Sequence, residues 1–154
     1  MSFLKIGGKT DTNVAQPVRV KENGDIINSH EWEAENLTIY NATHTDTAAT
    51  RVGFDGSISL ASYGLISLRI RNKTGVPAHF VMYSDSTDTG STPLVDFDNS
   101  PIVFDVPASD NDMVITPRDI PALAYLRILK FSVACTATPT VENGIIRVWV
   151  IKKR

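Results

Sequence analysis

The side chains best suited to covalent or metal chemistry are three histidines and one cysteine, and their placement argues against that use. His30, His44 and His79 stand far apart and lack the paired spacing with which a zinc site gathers its ligands. His79 falls inside an apolar strand, where a satisfied structural histidine is the expected role. Cys135 also sits inside a strand, with neither the basic neighbours nor the exposure that a reactive thiol needs. It reads as a small buried apolar residue, and as the sole cysteine it has no disulfide partner within the chain. No serine occupies a nucleophile elbow, and no glycine-rich loop opens a helix. Triads are assembled in space from distant residues, but nothing here points to one. The chain is therefore read as non-enzymatic, with no catalytic residue, no metal ligand and no cofactor.

Hard oxygen ligands are more plentiful. Asp85-x-x-Asp88, Asp96-x-Asp98-Asn99 and Asp110-Asn-Asp112 carry groups that calcium prefers, but none has the spacing and closing glutamate of an EF-hand. Asp and Asn also favour turns by bonding their own backbone, and that is the default reading. Basic residues are the other candidate: Arg69, Arg71, Lys73, Arg118, Arg127, Lys130, Arg147 and the terminal Lys152-Lys-Arg154. A nucleic-acid protein would show a basic stripe on a basic chain. The formal net charge of −2 opposes that, so a solvated face or salt links to a neighbouring subunit are expected. Trp32, Tyr40, Tyr63 and Tyr83 are available as stacking platforms for a sugar, whereas Trp149 reads as core.

The elements that must position these residues are strands. In the last quarter, Leu123 to Cys135 and Ile145 to Ile151 are rich in β-branched and aromatic residues, with Asn143-Gly144 marking the turn before the second. They read as a hairpin. Alternate residues face opposite sides of a strand, which gives one strongly apolar face, including Leu129, Phe131, Val133, Val148 and Val150. The opposite face carries Arg147 among Ile145, Trp149 and Ile151, and needs a cover from another segment or another subunit. Further strands are expected at Leu37–Tyr40, Ser57–Leu60, Leu65–Arg71, Ala78–Tyr83, Leu94–Phe97, Ile102–Val106 and Met113–Thr116, with an exposed loop over Asn41–Thr50. Val18 to Ile27 carries Asn23-Gly24, a tight-hairpin signal.

Many short strands separated by turn residues, with no sustained helical period, predict a single antiparallel β-sandwich, all-β and jelly-roll-like. An up-and-down barrel is the alternative. The domain is expected over residues 17–154, preceded by an extended N-terminal arm over residues 1–16 whose Phe3, Leu4 and Ile6 are odd for a solvated tail. At 154 residues the chain suffices for one core. No apolar run has the length of a signal peptide or a membrane helix, so synthesis in a cytoplasm is expected. The sequons at Asn36, Asn41 and Asn72 are read as chance in a Thr-rich chain.

The arm, the hairpin apolar on both faces, and the stretches Val18–Ile27, Ile120–Arg127 and Ile145–Val150 together resemble the accessory virion proteins of tailed bacteriophages. These are capsid decoration proteins, head-fibre bases and small tail or baseplate proteins. The resemblance implies a symmetric homo-oligomer, often a trimer, bound in the virion to the major capsid protein or another lattice protein, with no nucleic acid or membrane partner. Phe3, Leu4, Ile6, Tyr125, Arg127, Arg147 and Trp149 are the expected partner-binding residues. A carbohydrate- or receptor-binding module of a phage tail is the alternative.

Overall fold

A computed structural model describes residues 8–9, 15–16, 34–61, 64–84 and 92–153. The chain divides into two units, Met1–Glu33 and Ala34–Arg154. In the first, β1 (Gly8–Lys9) and β2 (Ala15–Gln16) pair antiparallel. Phe3, Leu4, Ile6 and the Asn23-Gly24 signal lie outside the described residues, as does Trp32.

The second unit is an all-β sandwich. Its strands are β3 (Ala34–Thr43), β4 (Thr50–Val52), β5 (Leu65–Asn72), β6 (Ala78–Tyr83), β7 (Val103–Val106), β8 (Met113–Ile115), β9 (Lys130–Cys135) and β10 (Ile145–Lys153). They form two antiparallel four-stranded sheets, ordered β3-β10-β5-β8 and β4-β9-β6-β7. The pairing is nested: β3 with β10, β4 with β9, β5 with β8, and β6 with β7. The chain behaves like one long hairpin folded back between β6 and β7 and then curled, so that successive pairs alternate between the sheets.

Alternation fills the space between the sheets. On β5, Ile66, Leu68 and Ile70 point inward while Ser67, Arg69 and Arg71 point out. Ile146, Val148 and Val150 do the same on β10, and Phe131 and Val133 on β9. Phe80 stacks on Phe104 with centroids 5.1 Å apart and tilts against Phe131 at 5.7 Å. Each such side chain contributes about 1.5–3 kcal/mol by leaving water. The expected core residues Leu129, Phe131, Val133, Val148 and Val150 are all buried.

The expected hairpin between the last two strands is corrected. β9 and β10 lie in different sheets, and the connection 136–144 crosses the end of the sandwich between them. That connection is longer than a tight turn requires, and Thr140 and Val141 donate their amides to Thr74 O on the way. The first strand is also shorter than read. Pro121–Ala124 form a 3-10 turn with Leu123 buried, and regular pairing starts only at Lys130.

Antiparallel pairing sorts the connections to two ends. One end carries the β3–β4, β5–β6, β7–β8 and β9–β10 connections. There His44 N donates to Gly144 O, and Ser109 N to Asn72 O. The other end carries β4–β5, β6–β7 and β8–β9. There Leu60 N donates to Arg127 O, and Leu129 N to Ile58 O.

Candidate functional site

The two described histidines are placed opposite to expectation, whereas Cys135 lies where it was expected. His44, read as part of an exposed loop, is 5% exposed; Tyr40 Oη and His44 Nε2 share a hydrogen bond of 2.8 Å. β3 runs on to Thr43 and delivers His44 directly to the end of the core. Burial lowers the His44 pKa and raises that of the Tyr40 phenol, because both charged forms lose water. Cys135 is buried and its thiol is likewise pushed up, so the small-apolar reading holds. Of the two described histidines, His79 is the more open, half-buried one: its Nδ1 lies 2.7 Å from Asp105 Oδ1, across the β6–β7 ladder, and His30 lies outside the described residues. Its cross-strand neighbour on β9 is Ala134, which offers no nucleophile.

The outer face of the β3-β10-β5-β8 sheet carries a denser constellation. Trp149 pairs in register with Arg69, and Arg147 with Arg71, so strand alternation brings all four to the side away from the core. The guanidinium carbons of Arg69, Arg147 and Arg71 stand 4.3, 5.5 and 5.7 Å from the indole centroid. Trp149 is left 9% exposed without joining the core cluster. The cover expected over this face is thus supplied at Trp149 by arginines of the same sheet. A cation over an aromatic ring contributes about 0.5–2 kcal/mol.

One carboxylate serves two of these cations. Asp112, just before β8, accepts a hydrogen bond from Arg71 Nε through Oδ1. Its Oδ2 lies 3.5 Å from Arg69 Nε, which is an ionic contact but not a hydrogen bond, and that buried Nε has no hydrogen-bond partner. The Arg71 hydrogen bond holds the Asp112 carboxyl below its ordinary pKa, with the charges of Arg71 and Arg69 adding to it. Arg147 Nε donates instead to Asn41 Oδ1 at 3.0 Å. Among the described residues, no carboxylate lies within ion-pair distance of Arg147. Among the described residues, Asp112 is the one carboxylate within ion-pair distance of any of these three guanidiniums, and the charge of Asp110 adds a weaker attraction at Arg71.

The β6–β7 connection presents a different kind of group. Asp96 Oδ1 accepts hydrogen bonds from Asp98 N at 2.9 Å and Ser100 N at 3.1 Å, and Asn99 takes a positive φ of 63°. Asp96 N donates to Ser100 O, and Asn99 N to Asp96 O. Phe97 at the tip of this turn is 96% exposed. The base of the loop is tied to β6 by Leu94 N to Met82 O and Met82 N to Ile102 O. At the same end, Tyr125 follows the 3-10 turn and is 83% exposed, with Arg127 also exposed.

Of the expected partner-binding residues, Tyr125 and Arg127 lie at the Phe97 end, and Arg147 and Trp149 lie on the sheet face. Phe97 was read as a strand residue, although Asp96, Asp98 and Asn99 around it are turn formers. Arg69 escaped as a partner of Trp149, and Asp112 as a partner of the arginines, because only the β5–β10 and β5–β8 registers join them. The basic residues do not gather on one side: Lys130 and Lys152 are buried and each has a partner. Asp110 pairs with Lys73 at 3.1 Å, beside an open depression of about 380 Å³ also lined by Asn72, Ser109 and Val141. The Asn72 sequon is closed, since that side chain is buried. No family model matches the chain, and no curated protein matches it.

Proposed function

We propose that the protein is a non-enzymatic structural component of a virion, a closed homo-oligomer with a trimer favoured, which docks on a larger protein lattice such as a phage capsid. The nested strand order supports this reading. Such nesting suits a jelly roll, an architecture that viral capsid and lectin domains use. The single observation that carries the docking claim is Phe97. A turn held by its own backbone and by Asp96 keeps an aromatic ring in water. Burying that ring in a partner's pocket yields about 1.5–3 kcal/mol. Because the turn is already ordered, little conformational entropy opposes the contact. Tyr125 and Arg127 extend the same end with residue types favoured at binding hot spots. The arm residues Phe3, Leu4 and Ile6 belong to the same proposal as a second attachment.

The test is co-sedimentation of the purified protein with assembled capsids that lack it, alongside light scattering on the free protein. An oligomer that binds saturably, and a Phe97→Ala variant that is equally folded but binds at least about tenfold more weakly, are expected. A monomer, or equal binding by both forms, overturns the reading.

A further inference from the structure

We infer that the outer face of the β3-β10-β5-β8 sheet is a docking site for a carboxylate-rich protein segment, gripped by Arg69, Arg71 and Arg147 around Trp149. This surface is separate from the Phe97 end, and the inference does not depend on the lattice reading. It begins with charge. Three guanidiniums converge on one indole, and among the described residues Asp112 is the one carboxylate within ion-pair distance of any of them, with Asp110 acting on Arg71 from further off. The side chains of Arg69 and Arg71 are about a third exposed, so the cluster meets solvent while its stems cover the ring.

The second step is geometry. A guanidinium carries five N–H donors in a fixed fork that matches a carboxylate. Asp112 already takes one N–H of that fork, the Nε of Arg71, so the face holds an internal example of the group it would take. Arg147 offers the same fork, its Nε on Asn41 and no carboxylate of the described residues within reach. Trp149 limits how the arginines move: contact with the indole orders long side chains that otherwise lose rotamer freedom on binding.

The third step selects the partner. The chain carries a net charge of −2, Asp112 sits among the arginines, and Asp110 pairs with Lys73 beside them. These features repel an extended polyphosphate more than a short run of carboxylates. Val114, the in-register neighbour of Arg69, and Leu65 further along β5 are both exposed and apolar. A protein segment can cover apolar side chains while pairing with the arginines. A second copy of this face is a poor occupant, because two clusters of like charge would meet.

Fluorescence anisotropy with the full-length protein tests this, using a labelled peptide of alternating Glu and Val, a scrambled Lys-for-Glu control, and an oligo-dT of matched length. Arg147→Gln should weaken binding of the acidic peptide about fivefold to tenfold. Asp112→Asn, which removes the internal competitor, should strengthen it. Both variants should keep the thermal midpoint within a few degrees. Binding should also weaken as salt rises. Absence of binding, the same affinity in both variants, or tighter binding of oligo-dT than of the acidic peptide would each overturn the inference. If Arg147→Gln unfolds, Asp112→Asn against wild type still decides, since no purely structural role of Asp112 predicts a gain.

Discussion

The two ends of the sandwich use the same turn-forming residues to opposite effect. At the His44 end, Asn72 is 1% exposed. Its Nδ2 donates to Val76 O and Val106 O, and its Oδ1 accepts from Thr74 N and Thr74 Oγ1. One side chain ties the β5–β6 turn to the end of β7, and the connections close over the core. At the Phe97 end, Asp96 makes comparable bonds to its own backbone, but in the open, and the product is a rigid turn that lifts an aromatic ring into water. Local hydrogen bonding thus seals the core in one place and presents a side chain in the other. The difference is that Asn72 adds to the bonds within its own turn one to a distant strand, at Val106 O, whereas Asp96 bonds within its own turn alone.

The comparison breaks most severely at Asn72. Asn72→Asp replaces the Nδ2 amide, which donates to two carbonyls, with an acceptor oxygen facing them in a buried site. A loss on the order of 4 kcal/mol is expected in urea unfolding. Gly53 asks whether the Phe97 end is equally rigid. It takes a positive φ of 76°, and a Cβ there would collide with Leu129 O. Gly53→Ala should therefore cost on the order of 2–3 kcal/mol, and a neutral result would mean that this end is loose.

Acid sharpens the contrast next. The folded-state pKa of His44 is lowered by burial, so the unfolded chain binds the proton more readily. The contribution is complete above the ordinary histidine value of about 6.5. It is lost as pH falls through the lowered folded value. Urea midpoints measured across that window should decline, and His44→Gln should flatten the slope. Asp112 acts at lower pH in the same direction: its depressed carboxyl stabilises the fold above the ordinary carboxylate range and ceases to as it protonates. The smallest effect on stability belongs to Phe97→Ala, within about 0.5 kcal/mol of wild type because the ring touches water. A larger loss would show that Phe97 has an internal role.

Much of the fold was legible because alternation is local. Ile66, Leu68 and Ile70 against Arg69 and Arg71 mark the two faces of β5 without any knowledge of neighbours. Pairing is not local. Leu129–Cys135 and Ile145–Ile151 have the composition of a hairpin, and nothing in either strand states that each belongs to a different sheet. The arginine–tryptophan cluster was hidden for the same reason: Arg69 and Trp149 lie on strands whose adjacency only the nested topology decides. Phe97 was obscured by a local competitor. Val95 and Phe97 alternate like a strand, but Asp96 captures the amides of Asp98 and Ser100 and turns the chain. His44 sits among threonines and alanines that read as solvated, and its burial follows from Tyr40 on β3 and Gly144 across the sandwich end.

Directional docking is the claim most open to a single measurement. Cys135 is buried with a raised thiol pKa, so an introduced cysteine would be the reactive thiol among the described residues. Asp98→Cys places one beside Phe97, and Thr138→Cys places one in the exposed β9–β10 connection at the opposite end. The rate of maleimide labelling of each variant is to be measured with and without assembled capsids. Docking through the Phe97 end predicts strong protection at position 98 and unchanged labelling at position 138. Equal labelling at 98 in the bound and free states, or protection at 138 alone, would contradict it.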